Sequence, residues 1–144
     1  DALQTYVVLT AYIPMLMDSA GNSGSQSATM IIRGLALGEV SMKDMAKVAW
    51  KELRVGLIVG LTLASVNFTR IYFFDGVGVW VAATVSISLL FTIILAKLVG
   101  GSLPIIAKKL RLDPAIMAGP LITTLVDAVA LMIYFQLASW LLNL

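Results

Sequence analysis

Four stretches of this sequence are apolar over lengths that match a lipid bilayer, and that limits its fold more than any motif does. The first runs from Leu3 to about Met17 and resumes from Ala28 to Leu37. The others run from about Leu53 to Phe68, from Val77 to Val99 and from Ala115 to Leu144. A membrane-spanning helix needs about 20 mainly apolar residues, so each block can cross once. The expected fold is therefore all-α, a polytopic membrane helix bundle with four spans in this chain. Composition agrees. The 144 residues are 60% hydrophobic and only 12% charged, against about 25% charge in a soluble domain. Mean hydropathy is +0.97.

Charge is arranged by loop. Lys43, Lys47, Lys51 and Arg54 lie between the first two blocks, with Arg33 just before them; Lys108, Lys109 and Arg111 lie between the last two. The intervening loop has only Arg70, offset by Asp75. The positive-inside rule puts the two basic loops in the cytoplasm and both ends of this chain outside, as a multi-pass protein of the cell membrane. The chain opens on Asp1 without a signal peptide. An external N-terminus then leads us to expect one further helix upstream, five spans natively. No basic patch is interleaved with aromatics, so nucleic acid is not an expected partner; membrane lipid is. Met42, Met45, Ala46, Ala49 and Trp50 recur at helical spacing, so Lys43 to Arg54 reads either as an interfacial helix or as an extension of the next span.

The chain contains neither Cys nor His. That removes soft-metal and imidazole sites and leaves oxygen donors, which suit Mg2+, Ca2+ or Mn2+. Asp127 is the informative one. A carboxylate inside an apolar run costs roughly 3 kcal/mol on insertion scales, and such acids usually face a polar path or a partner. Asp113-Pro114 reads as a helix start. Pro120 then falls inside the helix and should free the carbonyl of Ile116. Gly119, Thr123 and Asp127 follow at i, i+4 and i+8 on one face. Counting from Asp113, Asp127 lies roughly 20 Å along, near the midplane. If Asp127 were only structural, Lys97 or Asn67 would be its partner.

The first block is interrupted by Asp18 to Ser27, rich in Gly and Ser. One straight helix from Leu3 to Gly38 would be about 54 Å, too long for a simple crossing. A break is expected, beginning at Pro14 or the glycines, with Asp18 and Asn22 as oxygen donors on a pore wall; an aqueous loop is the alternative. Gly76-Val-Gly78 and Gly100 to Pro104 read as turns or helix ends. Glu39, Glu52 and Asp113 can attract cations at the cytoplasmic mouth, although Glu52 also fits an interfacial charge cluster and Asp113 a helix cap. No nucleophile–base pair or metal dyad is evident, so no enzyme is expected.

Two motifs carry a specific resemblance. Pro14-Met-Leu-Met-Asp18-Ser-Ala-Gly-Asn-Ser-Gly-Ser-Gln-Ser-Ala-Thr-Met-Ile-Ile-Arg-Gly-Leu-Ala-Leu-Gly-Glu39 closely resembles the signature of the MgtE family of magnesium channels. So does Asp113-Pro114 with Ala118-Gly-Pro-Leu-Ile-Thr-Thr-Leu-Val-Asp127. The resemblance covers the whole chain. It implies a homodimer, a second copy of the chain being the partner, with the pore on the two-fold axis and Mg2+ as transported ion and pore ligand, other divalent cations being possible cargo. It puts Asp127 on the pore aspartate, Thr123 where a backbone carbonyl contributes, and Gly119 on a pore position where some relatives carry Asn. Asp18 stands where some members have Gly. Asp113 matches a mouth acid that meets gating magnesium. Residues 1–144 would then be the transmembrane domain without the first span or the cytosolic N and CBS domains. A cation-coupled carrier, such as a sodium/magnesium exchanger, is the alternative mechanism.

Overall fold

The computed structural model describes residues 2–143; Asp1 and Leu144 lie outside the described residues. It contains five α-helices: α1 (Ala2–Thr10), α2 (Ile13–Ala36), α3 (Met45–Phe74), α4 (Val79–Lys109) and α5 (Pro120–Leu142). Short 3-10 turns, Met42–Asp44 and Pro114–Met117, precede α3 and α5. Among the described residues, three helical stretches are long and apolar enough to cross a membrane: Met42–Phe74, Val79–Lys109 and Pro114–Leu142. The first block does not qualify, because α2 carries too many polar residues.

Helix α4 is the centre of the bundle. It packs against α3 on one side and against α2 and α5 on the other, and α2 also packs against α5. Its buried positions run nearly all round, including Ala82, Thr84, Ser88, Gly101 and Ile105, as expected of a helix enclosed by neighbours. Leu9, Leu16, Ile71, Ile93 and Tyr134 belong to the apolar cluster that joins all five helices. The Tyr134 hydroxyl donates to the Leu9 carbonyl at 2.7 Å.

Three local expectations change. The break in the first block falls at Ala11 and Tyr12, just before Pro14, and α2 then runs unbroken through the Gly-Asn-Ser-Gly segment. Pro14 occupies the first turn of α2, where its missing N–H removes no helical bond. Neither an aqueous loop nor a non-helical turn forms at residues 18–27. Glycine's poor helix propensity, about 1 kcal/mol each, is overridden by packing: a Cβ on Gly24 would lie 3.3 Å from the Ala96 carbonyl and 3.2 Å from Val126.

Likewise Gly100, Gly101 and Pro104 lie inside α4 and end nothing. A Cβ on Gly100 would overlap the Gly24 carbonyl, so the two glycines let α2 and α4 touch backbone to backbone, the small-residue contact that membrane helices favour. The residues Lys43 to Arg54 form no separate interfacial helix. Apart from the turn at Met42–Asp44 they are the first turns of α3, the extension reading. That start is fixed by a capping box: the Ser41 hydroxyl accepts from the Lys43 N–H at 3.3 Å, while Asp44 Oδ2 accepts from the Ser41 N–H at 2.9 Å. We expect Ser41→Ala to lower stability by about 1 kcal/mol, read as a lower thermal midpoint in detergent; an unchanged midpoint would mean that the box is unmade in solution.

The ends of the bundle follow the charge pattern. Tyr12, at the head of α2, donates to Asp75 at 2.8 Å, and Asp75 pairs with Arg70 at 3.1 Å. The start of α2 and the α3–α4 loop therefore share one end. The end of α2 and the Asp113–Ala115 segment line one cavity with Lys108, so both basic loops share the other end.

Candidate ion site

Helix α2 has two faces. Leu16, Ala20, Ser23, Ser27, Ile31 and Leu35 are buried against the bundle. Asp18, Asn22, Gln26, Thr29 and Arg33 are exposed on the other side. These five recur every three or four residues and form one polar stripe along the helix. Sequence reading named Asp18 and Asn22 but missed Gln26 and Thr29; the same helical period would have found them had the segment been taken as a helix.

Where this stripe meets α5, Met17, Asp18, Gly21, Asn22, Thr123 and Asp127 line a cavity of about 160 Å³. Gly21 makes the contact possible, since a Cβ there would lie 3.3 Å from Thr123 Cγ2 and 3.7 Å from Asp127 Oδ1. The register against α2 sets the depth of the acid. Gly21 lies about 12 Å from the start of α2 and about 22 Å from its end, at 1.5 Å per residue.

The donors differ in how much they already do. Asn22 Nδ2 donates to Asp18 Oδ2 at 3.2 Å, a bond that does not use the amide oxygen of Asn22 as an acceptor. The Thr123 hydroxyl donates to the Pro120 carbonyl at 3.0 Å, with Gly119 O at 3.3 Å as the other acceptor in reach. Asp127 Oδ1 is buried and has no hydrogen-bond partner. Burying a carboxylate oxygen without a donor is unfavourable, so this atom is suited to a ligand that brings donors or charge. Among the described residues no three acidic side chains converge on one point. The cavity offers two carboxylates with amide and hydroxyl oxygens, a set suited to a cation that keeps much of its water.

Two predicted ligands lie elsewhere. Gly119 is the residue before α5, with φ +63, and does not line this cavity. Asp113 is exposed; its Oδ1 accepts from the Ala115 N–H at 3.0 Å as the cap of the Pro114–Met117 turn. It lines a different cavity of about 250 Å³ with Ile32, Leu35 and Lys108. The cap reading of Asp113 is therefore borne out, while the helix it was to start is not. Helix α5 begins at Pro120, so this proline sits in the first turn and frees no carbonyl of Ile116. The face shared by Gly119, Thr123 and Asp127 reduces to Thr123 and Asp127.

Lys97 and Asn67, the partners expected for a purely structural Asp127, are engaged elsewhere. Asn67 Oδ1 accepts from Arg70 at 3.3 Å. Lys97 Nζ donates to the Ser27 hydroxyl at 3.5 Å, and that hydroxyl donates to Glu52 Oε2 at 2.6 Å. Glu52 is 3% exposed. It is thus an internal residue and not part of an open cytoplasmic mouth, although Lys51 approaches its Oε1 at 3.9 Å. Glu39 is exposed and borders another cavity, with Asp44 and Lys47.

The family model described as MgtE, a divalent cation transporter, matches residues 13–137. This chain belongs to the MgtE family. Three curated MgtE relatives named magnesium transporters align over nearly all of it. The one from Thermus thermophilus is 39% identical and covers 99% of this chain, that from Bacillus subtilis is 37% identical over 96%, and that from Enterococcus faecalis is 31% identical over 92%. The chain spans about a third of the length of these relatives: 31%, 31% and 29%. Asp18, Asn22, Asp113, Gly119, Thr123 and Asp127 all fall inside the MgtE match. Membership in a transporter family accords with the membrane-compatible helices and gives no support to an enzymatic role.

Proposed function

We propose that this protein conducts hydrated divalent cations, Mg2+ foremost, across the cell membrane through a path between two copies of the chain. The observation that carries this reading is the Asp18–Asp127 cavity. It is a polar, doubly acidic recess on the surface of one protomer, partway along helices that are otherwise long and apolar enough to cross a membrane. An acid there is unfavourable against lipid and favourable against water or a cation. A two-fold axis beside α2 and α5 closes the recess and brings two copies of each acid around one path. Mg2+ sheds its water reluctantly and is commonly held through retained waters, which fits a site with few carboxylates. Asp127 supplies the principal charge. Asp18 and Asn22 line the opposite wall, and Thr123 adds oxygen, its carbonyl keeping a lone pair beyond the helical bond. Gly119 and Asp113 belong to the approach from the basic end, Gly119 leaving the path open and Asp113 attracting cations. That end faces the cytoplasm by the positive-inside rule, and α2, despite its polar stripe, is the fourth crossing, shielded from lipid by the second copy.

The test is Mg2+ entry into liposomes carrying the protein, with and without a sodium gradient. Entry independent of sodium is expected, and entry that requires the gradient would replace the channel with a coupled carrier. The chain has no cysteine, so single cysteines at Thr123 or Asn22 are clean probes. Each is expected to cross-link between subunits or to react with aqueous thiol reagents. Inertness of both, with a cysteine at the exposed Trp140 behaving as lipid-facing, would count against a path here.

A further inference from the structure

Ser27, Glu52 and Lys97 come from α2, α3 and α4, and all three are buried, at 2%, 3% and 6% exposure. None lines the ion cavity. The Ser27 hydroxyl sits between the two charges, donating to Glu52 at 2.6 Å and accepting from Lys97 at 3.5 Å. A Cβ on Gly101 would come within 2.8 Å of Glu52 Cγ, so α4 gives way at this point to admit the carboxylate. Stability alone does not call for such an arrangement. Replacing a buried charge pair with apolar groups of similar volume is often neutral or stabilising.

Its position on α2 suggests what it does. Asp18 and Ser27 are nine residues apart, which at about 100° per residue places them on opposite sides of the helix. Ser27 is thus the inward anchor of a helix whose outward side bears Asp18 and Asn22. The glycine contact between α2 and α4 allows close approach but, having no side chains, does little to fix rotation. A rotation of α2 by about 20° would swing a side chain some 5–6 Å from the axis by about 2 Å, enough to misplace Asp18 relative to Asp127. Leu16, Ile31 and Leu35 also pack inward, but apolar contact tolerates a small rotation, whereas hydrogen bonds between one hydroxyl and two buried charged groups are directional and oppose it.

We propose that Ser27, Glu52 and Lys97 are positioning residues for the ion path: by pinning α2 to α3 and α4 they hold Asp18 and Asn22 opposite Asp127. This rests on the ion-site reading above, and the experiment separates the two. Mg2+ entry into liposomes is measured as a function of Mg2+ for Glu52→Gln, Lys97→Met, Ser27→Ala and the double variant Glu52→Gln with Lys97→Met. The separation between α2 and α5 is measured in parallel with spin labels on cysteines replacing Gln26 and Leu125, both exposed. We expect Glu52→Gln and Lys97→Met each to raise the half-saturating Mg2+ concentration about tenfold. The double variant should melt no lower than the parent yet keep the raised half-saturation, with a broadened α2–α5 distance distribution.

The direction of the shifts is decisive. A through-space charge effect would move the two single variants oppositely, since loss of a positive charge favours cation binding and loss of a negative one opposes it. Loss of positioning moves both the same way. Opposite shifts, unchanged half-saturation, or an unbroadened distance distribution would each overturn the proposal. If a single variant fails to fold, the double variant and Ser27→Ala decide the matter by the same readings. If the parent protein passes no Mg2+, the ion-site reading fails, and the distance distribution alone decides whether the three residues pin α2.

Discussion

Asp127→Asn is expected to lower Mg2+ flux about a hundredfold while leaving the folded protein at least as stable. The two effects have different sources. In a two-fold assembly the substitution removes two facing negative charges from a site of low dielectric, where each interaction with a divalent cation is worth far more than in water. A hundredfold loss corresponds to about 2.7 kcal/mol, well inside that range. Folding has no matching stake, because Asp127 Oδ1 has no partner to lose. Removing the charge also removes an insertion penalty of roughly 3 kcal/mol. The measurement pairs liposome flux with thermal unfolding in detergent, and Mg2+ should raise the melting temperature of the parent by binding the folded state and do so weakly for the variant. Parental flux from a well-folded Asp127→Asn protein would remove this residue from the ion path.

The second large effect is structural. Gly100→Ala is expected to destabilise the protein by about 3 kcal/mol, or to prevent assembly of α2 on α4. The added Cβ overlaps the Gly24 carbonyl, which is backbone, and backbone cannot turn aside as a side chain can. The helices would have to separate along their whole contact, loosening Ser27 from Lys97 and Gly21 from Asp127 together. Gly78→Ala is the control. Gly78, the residue that caps α4, has an ordinary φ of −59 and nothing within 4 Å of its Cβ position, so its replacement should cost no more than a weakened cap, about 1 kcal/mol or less. Equal melting of the Gly100→Ala protein would mean that α2 and α4 do not meet at their glycines.

Periodicity and charge were sufficient for part of this. The apolar block from Leu53 to Phe68 lies within α3, and that from Val77 to Val99 enters α4 after its first two residues; the turn at Gly76 to Gly78 falls where its glycines put it, because burial in lipid and loop chemistry act locally. The two basic loops at one end follow from helices that alternate in direction. Asp127 stands out by the same reasoning, since a lone acid in an apolar run is unfavourable whatever surrounds it. The motifs that resemble the MgtE signature led to the family that the comparison with known proteins gives.

Contacts between distant segments decided the rest. The glycines of residues 21–24 and 100–101 look like helix breakers when only local propensity is weighed, but each is a place where another helix must come close. A penalty of about 1 kcal/mol per glycine is smaller than the packing gained. Pro120 reads as an interruption only if a helix precedes it; the extended residue Ala118 and the positive φ at Gly119 move the helix start to the proline. Glu52 and Lys97 gave separate signals, a charge at an interface and a charge in an apolar run. Only the crossing of α2, α3 and α4 joins them through Ser27. The sequence by itself determined that this is a bundle of membrane helices with an acid in its last span. The tertiary structure alone decided which oxygens of α2 stand beside that acid, because Asp18 and Asn22 are more than a hundred residues from Asp127 along the chain, and register between packed helices is not written in the local pattern of either one.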